Sequence, residues 1–201
     1  KKKNLLISEL IVFHYHKQFS ELISKINFNK LTTISTYFHI PKLDKINFRN
    51  NTKLGGGCYQ DMSSYAAYMI KFFFKNKRPT IKRKKHSFYR GNSNSFSFEA
   101  IASNVNLKCS FSFNKSYKNY MKIKTEKNEY KIQYVFSPPI DKILTVQEVN
   151  KKLNKFKKTS YKTQNTFYTY FNMVFKIIKN KKFDFFYKEL EQTAKIRNEI
   201  I

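Results

Sequence analysis

Three of the four glycines in this 201-residue chain are contiguous, Gly55-Gly56-Gly57, and they stand directly ahead of Asp61 and Tyr65. Glycine permits positive φ and lets a second backbone or a ligand come close. At a helix start it also leaves free N–H groups directed outward, suited to polar or anionic groups. Asp61 and Tyr65 are spaced i, i+4, so on a helix that begins at Gly57 they share one face. A carboxylate there is favoured by the helix dipole whether or not it does chemistry. The pair also has a chemical reading. A tyrosine hydroxyl can give or take the proton that accompanies hydride transfer at a carbinol, provided a neighbour lowers its pKa. An aspartate one turn away can hydrogen-bond the substrate or orient the tyrosine. Spacing alone leaves a tight loop-to-helix joint standing beside that reading.

Other candidates carry two readings each. His14 and His16 would fall on one side of an extended segment and could chelate a metal, but no third ligand is evident. Arg49 is either a solvated loop arginine or a contact for an anionic group such as a diphosphate. Lys82-Arg83-Lys84-Lys85-His86 has the composition of a polyanion patch and equally of a strand edge whose lysines discourage pairing. Cys58 and Cys109 are far apart, with no spacing for a zinc knuckle or a disulfide framework, so a reduced, cytoplasmic setting is the default.

A formal charge of +27 predicts attraction to nucleic acid, anionic lipid or phosphorylated ligands. The excess is nearly all lysine, with arginine only at positions 49, 78, 83, 90 and 197, whereas bidentate phosphate and guanine readout favours arginine. Abundant Asn, Ile, Phe and Tyr match an A/T-rich coding bias that yields the same composition without any polyanion. Hydrophobic residues at 41% exclude a disordered chain. The N-terminal run Lys1-Lys2-Lys3 with Leu5, Leu6 and Ile7 is interrupted by Glu9 and followed by His14 and His16, unlike a signal peptide. The run Tyr65–Phe74 is about half the length of a membrane span.

These residues need elements to hold them. Lys3–Glu9 reads as a buried parallel strand, Phe19–Ile26 as a helix, Leu31–Ile40 as a strand ended by Pro41, and Lys42–Leu54 as a polar loop. From Gly57 to Lys75 the period is helical, with Met62, Ala66, Met69, Ile70 and Phe73 on one stripe. Asp61, Tyr65, Tyr68 and Phe72 lie on the neighbouring one. Between Thr80 and Val135 the pattern is β, with paired strands at Tyr120–Thr125 and Tyr130–Val135. Three helical segments follow, near Val146–Phe156, Thr166–Ile178 and Phe185–Ile201. The expected class is α+β: a mostly antiparallel open sheet with an inserted helix and C-terminal helices.

The segment Leu54-Gly55-Gly56-Gly57-Cys58-Tyr59-Gln60-Asp61-Met62-Ser63-Ser64-Tyr65 resembles the GGG-x-x-x-D-x-x-x-Y stretch of the glucose–fructose oxidoreductase/inositol dehydrogenase/MocA (Gfo/Idh/MocA) family, nearest to members acting on sugars and nucleotide sugars. The flanks agree: Phe13-His14-Tyr15-His16-Lys17-Gln18 is similar to the family's F-x-y-H-P-q segment, and Phe38-His39-Ile40-Pro41, Asn47-Phe48-Arg49 and the closing Leu190–Ile201 fall where the family has related features. The resemblance spans essentially the whole chain, but only the glycine-to-tyrosine stretch is specific. It implies that residues 1–10 are the last strand of an N-terminal Rossmann domain and that 11–201 form the C-terminal substrate and oligomerisation domain. It further implies Tyr65 and Asp61 as catalytic residues, His16, Arg49, Gly56 and Gly57 as substrate-binding ones, and a homo-oligomer formed through the open sheet.

Departures from the family bound the expectation. The fingerprint G-x-G-x-x-G and the family's E-K-P lysine are absent. Lys17 replaces the proline after His16, and Ser64 stands where glycine is frequent. The chain opens on Lys1 rather than Met and is expected to be a fragment, with NAD or NADP bound mainly by a missing N-terminal domain and with little activity alone. The resulting expectation is the substrate-binding half of an NAD(P)-dependent oxidoreductase acting on a sugar or nucleotide-sugar hydroxyl or carbonyl, with no metal and no membrane partner. The alternative is a basic α+β module that binds nucleic acid or another polyanion.

Overall fold

Apolar side chains at every second position build most of the molecule. In Val105–Ser112, residues Val105, Leu107, Cys109 and Phe111 are buried while Lys108 is exposed, the period-two signature of a strand with one covered face. The structure is a computed structural model and describes residues 5–75, 77–181 and 183–201. Its strands are β1 (Leu31–His39), β2 (Thr80–Tyr89), β3 (Asn92–Ala102), β4 (Val105–Ser112), β5 (Lys118–Thr125), β6 (Asn128–Gln133), β7 (Leu144–Asn150) and β8 (Lys155–Tyr161). They form one sheet in the order β2-β3-β4-β1-β5-β6-β7-β8. Every neighbouring pair is antiparallel except β1 and β4, which run parallel with Thr36 opposite Cys109. That pairing follows from the long crossover between them, since a parallel neighbour cannot be reached by a hairpin.

Among the described residues four α-helices complete the fold: α1 (Lys17–Lys25), α2 (Cys58–Phe74), α3 (Thr166–Lys179) and α4 (Asp184–Ile200). Helix α2 lies across β3 and β4 and is backed by α4. Its expected stripe of Met62, Ala66, Met69, Ile70 and Phe73 is buried against Ile34, Leu107, Phe111 and Met121 in the main core. The opposite sheet face is polar, carrying Ser35, Lys108 and Lys122, with Tyr37 and Tyr120 stacked at 4.9 Å. The basic run 82–86 lies on edge strand β2, where Arg83 adopts φ 50° at a register shift, so the strand-edge reading holds.

Three expectations are corrected. The helix placed near Val146–Phe156 is instead the β7–β8 hairpin. Thr145-Val146-Gln147 alternates weakly, but β6 offers a ladder, and tertiary pairing outweighs local propensity. The turn is set by Asn150, whose side-chain oxygen accepts from the backbone N–H groups of Lys152 at 3.1 Å and Leu153 at 3.0 Å. The strand placed at Lys3–Glu9 falls partly on residues 1–4, outside the described ones, and residues 5–9 join no ladder; Leu5 and Ile7 are each 59% exposed. A parallel strand needs a neighbour to pair with, and none reaches them among the described residues. His14 and His16 do not share one side of an extended segment. His14 sits in the 3₁₀ turn Phe13–Tyr15, and His16 caps α1.

Candidate active-site face at the entrance of helix α2

The loop ahead of α2 is shaped by asparagines. Asn47 and Asn51 each accept a backbone N–H two residues on, from Arg49 at 3.1 Å and Lys53 at 3.0 Å, and so cap two successive 3₁₀ turns. The glycines then fold back onto this loop. The Gly56 N–H donates to the Asn51 carbonyl at 2.9 Å. A Cβ on Gly56 would stand 2.5 Å from the Phe48 carbonyl oxygen and 2.7 Å from those of Arg49 and Asn51. Gly57 occupies the N-cap of α2 at φ 125°, a conformation that disfavours any side chain. The triplet is therefore a tight joint, and it fixes how Arg49 meets the helix.

That meeting is an ion pair. Arg49 Nε donates to Asp61 Oδ1 at 2.9 Å, both side chains being about one-third exposed or less, and the guanidinium lies 4.7 Å from the Phe48 ring centroid. Tyr65 stands one turn further along α2. Its ring is wedged among Phe13 at 6.1 Å, Phe38 at 5.5 Å and Phe136 at 5.4 Å, the last two edge-on. Burial pushes the Tyr65 phenol above its ordinary pKa and the Asp61 carboxylate pushes the same way, with Arg49 opposing. Its hydroxyl makes no hydrogen bond among the described residues. The pKa-lowering neighbour expected for this tyrosine is thus outweighed, and the phenol is held neutral.

Arg49, Asp61, Tyr65, Gly56 and Gly57 come together; His16 stands apart. Its Nδ1 accepts the Gln18 backbone N–H at 3.1 Å, and burial lowers its pKa, so the neutral ring carries its proton on Nε2. That Nε2 is buried without a partner. His16 connects to Tyr65 through Phe13, whose carbonyl accepts the His16 N–H at 3.2 Å and whose ring meets Tyr65. His14 is packed on Tyr68 at 5.4 Å, and burial together with Lys71 lowers its pKa to about 4.

Two features lay beyond the reach of spacing. Glu9 accepts from Ser64 Oγ at 2.8 Å and Arg197 Nη1 at 3.2 Å, tying residues 5–16 to α2 and α4. A cleft of about 400 Å³ opens between the loop holding Arg49 and the β2–β3 turn. Their members lie tens of residues apart, so no local signal marks either.

The N-terminus of α2 does not fit the pyrophosphate of a dinucleotide. The α2 N-terminus is crowded by the carbonyls of residues 48, 49 and 51, and the Tyr59 N–H already donates to Ser93 Oγ at 3.0 Å. The outward-directed donors expected of the glycines are therefore largely occupied. Both cysteines are free and buried, their thiols pushed up to about 12 by burial, which leaves them inert. Among the described residues no three His, Cys, Asp or Glu side chains group as a metal site, and no helix is long and apolar enough to cross a membrane.

No family model and no curated protein matches the chain. Solved structures do. KijD10, a 3-ketoreductase from Actinomadura kijaniata in complex with NADP and TDP-benzene, superposes with a TM-score of 0.85 at 14% identity, over 98% of this chain and 62% of that one. The aldose-aldose oxidoreductase from Caulobacter crescentus complexed with glycerol gives 0.74 at 14% identity, over 98% and 62%. A dehydrogenase (MviM) from Clostridium difficile gives 0.70 at 12%, over 98% and 63%. The chain thus spans about three-fifths of the length of these proteins. The α+β fold of this chain is thus shared with these three proteins.

Proposed function

We propose that this chain is the substrate-binding half of an NAD(P)-dependent oxidoreductase that interconverts a hydroxyl and a carbonyl on a sugar or nucleotide sugar. The observation that carries the reading is the Arg49–Asp61 ion pair beside the neutral, solitary hydroxyl of Tyr65, in a fold shared with a 3-ketoreductase. A nicotinamide supplies hydride exchange when bound. Its pyrophosphate seat would belong to a domain ahead of residue 11, with residues 1–10 as the connecting remnant.

The part of this chain is the proton and the orientation. A neutral phenol donates to a carbonyl oxygen as that oxygen gains negative charge, so Tyr65 gives the proton in reduction and takes it back in oxidation. Asp61 keeps one carboxylate oxygen on Arg49 and offers the other to a sugar hydroxyl. The rigid joint at Gly56 and Gly57 holds the loop carrying Arg49 in register with the helix, and the unpartnered His16 Nε2 adds a donor at the junction with the upstream domain. Association of copies through the polar open sheet face belongs to the same reading.

The test is Tyr65→Phe in the protein carrying its upstream domain. Turnover should fall about 10²–10⁴-fold with the melting temperature little changed, the usual contribution of a positioned proton donor. Turnover within twofold of the parent, or an upstream reading frame lacking a glycine-rich βαβ unit, overturns the proposal.

A further inference from the structure

Helix α2 is held by the segment that enters the fold at two adjacent residues. The Glu9 carboxylate accepts the Ser64 hydroxyl at 2.8 Å, and four residues further along the same segment the Phe13 ring packs against Tyr65 at 6.1 Å. Neighbouring residues of an α-helix point about 100° apart around its axis. Contacts on both therefore fix the rotation of α2 as well as its height, more tightly than either contact alone. Tyr65 is the residue whose direction that rotation sets.

Glu9 is itself anchored from α4. Its Oε1 also accepts Arg197 Nη1 at 3.2 Å, and Thr193 Oγ1 stands 3.4 Å from Oε2. The Arg197 carbonyl in turn accepts the Tyr59 hydroxyl, so one arginine joins the carboxylate to both helices. Only 22% of the Glu9 side chain is exposed. Replacing such a buried ion pair by apolar groups often costs a fold nothing, because taking a carboxylate out of water offsets most of what its partners return. What an apolar side chain cannot do is hold one hydroxyl of α2 in one direction.

We propose that Glu9 is a positioning residue for Tyr65: through Ser64 it sets the direction in which the Tyr65 hydroxyl faces the substrate. The same carboxylate ties the start of the chain, where the reading above puts the cofactor-bearing domain, to the helix that carries the proton donor. Donor and cofactor seat then share one rigid frame, and an error of about 1 Å in such a frame costs on the order of 100-fold in rate. The proposal rests on the oxidoreductase reading and adds to it a residue that acts through another.

The experiment measures kcat and KM of the protein carrying its upstream domain, with NADP or NADPH and a panel of aldoses, keto-sugars and their nucleotide-linked forms. Ser64→Ala and Glu9→Leu should each lower kcat about 10–100-fold with KM within about twofold of the parent. Glu9→Gln keeps an acceptor oxygen for Ser64 and should hold kcat within about threefold. In a Tyr65→Phe background Ser64→Ala should cost nothing further, because the group it positions is gone. A lesion that only loosened the fold would lower kcat in both backgrounds alike, and that result overturns the proposal. So does an unchanged kcat in Ser64→Ala beside a disabled Tyr65→Phe, which leaves the oxidoreductase reading standing. Unchanged turnover in Tyr65→Phe removes that reading and this one with it. The 201-residue chain supplies an arm that needs no substrate. Glu9→Leu should speed hydrogen exchange at the amides of residues 64–68 more than at 71–74, and unchanged exchange along α2 overturns the clamp.

Discussion

Helices α2 and α3 are both rich in phenylalanine, tyrosine and aliphatic residues, and the fold treats them in opposite ways. Of the 17 residues of α2, 12 are buried: the sheet lies beneath it, α4 behind it and the residue 8–16 segment alongside. Of the 14 residues of α3, only Thr166, Tyr170 and Val174 are buried, against Val12 and Phe186, while Phe167, Phe171 and Phe175 follow one another at helical spacing on its exposed side. Apolar composition makes a helix possible in both places, but only α2 has neighbours on every side. The helix that carries Asp61 and Tyr65 is the one whose position is over-determined, which suits a site needing sub-ångström placement.

The sharpest way to break this contrast is to hollow α2. Met69 is fully buried in the main core. Met69→Ala should cost about 2–5 kcal/mol, read as a drop in the urea midpoint at constant slope. A loss under about 1 kcal/mol would mean that α2 is not gripped as its burial indicates.

Acid probes the same helix from its flank. The ring of His14 is stacked on Tyr68 of α2, and burial holds its pKa near 4 against 6.5 in the unfolded chain. A depressed folded pKa places the sign: this stability is fully present above pH 6.5. As the pH falls towards 4 the unfolded chain takes a proton that the native one refuses, and on the order of 3 kcal/mol is lost. His39, similarly lowered to about 4, acts in the same direction. Denaturation midpoints measured from pH 7.5 to 4 should fall steadily, and His14→Phe should flatten that limb.

Gly56→Ala attacks the entrance of α2. Its Cβ would press on three carbonyl oxygens, so the loop must shift at a cost of about 1–3 kcal/mol. Because the same loop presents Arg49, the Asp61 ion pair should loosen, and turnover of the protein with its upstream domain should fall beyond what the lost stability explains. Unchanged melting would show that the joint is slack.

How much of this was legible followed from whether a signal was local. Helix α2 was readable because its period and its glycines are contiguous, and the i, i+4 spacing correctly placed Asp61 and Tyr65 one turn apart. The strands from β3 to β6 were readable because their apolar faces alternate. The β7–β8 hairpin was not, since its residues are mostly polar and its strand state is imposed by β6. Nor was the disposition of residues 5–9, because an apolar run becomes a strand only where a neighbour pairs with it. In the site, the position of Arg49 depends on two asparagine-capped turns and a glycine contact with no counterpart in hydrophobic pattern. The two walls of the cleft, the loop holding Arg49 and the β2–β3 turn, are joined by the fold rather than by any local pattern.

The mildest intervention tests the other half of the comparison. Phe175 is 63% exposed on α3, so most of its ring already contacts water and its removal forfeits little buried area. Serine is a slightly poorer helix former and phenylalanine is no better than average, so the propensity change is also small. Phe175→Ser should therefore alter stability by no more than about 0.5 kcal/mol, while raising solubility by dividing the exposed aromatic row. A loss comparable to that of Met69→Ala would mean that α3 is gripped by contacts the isolated chain does not display, and the contrast with α2 would collapse.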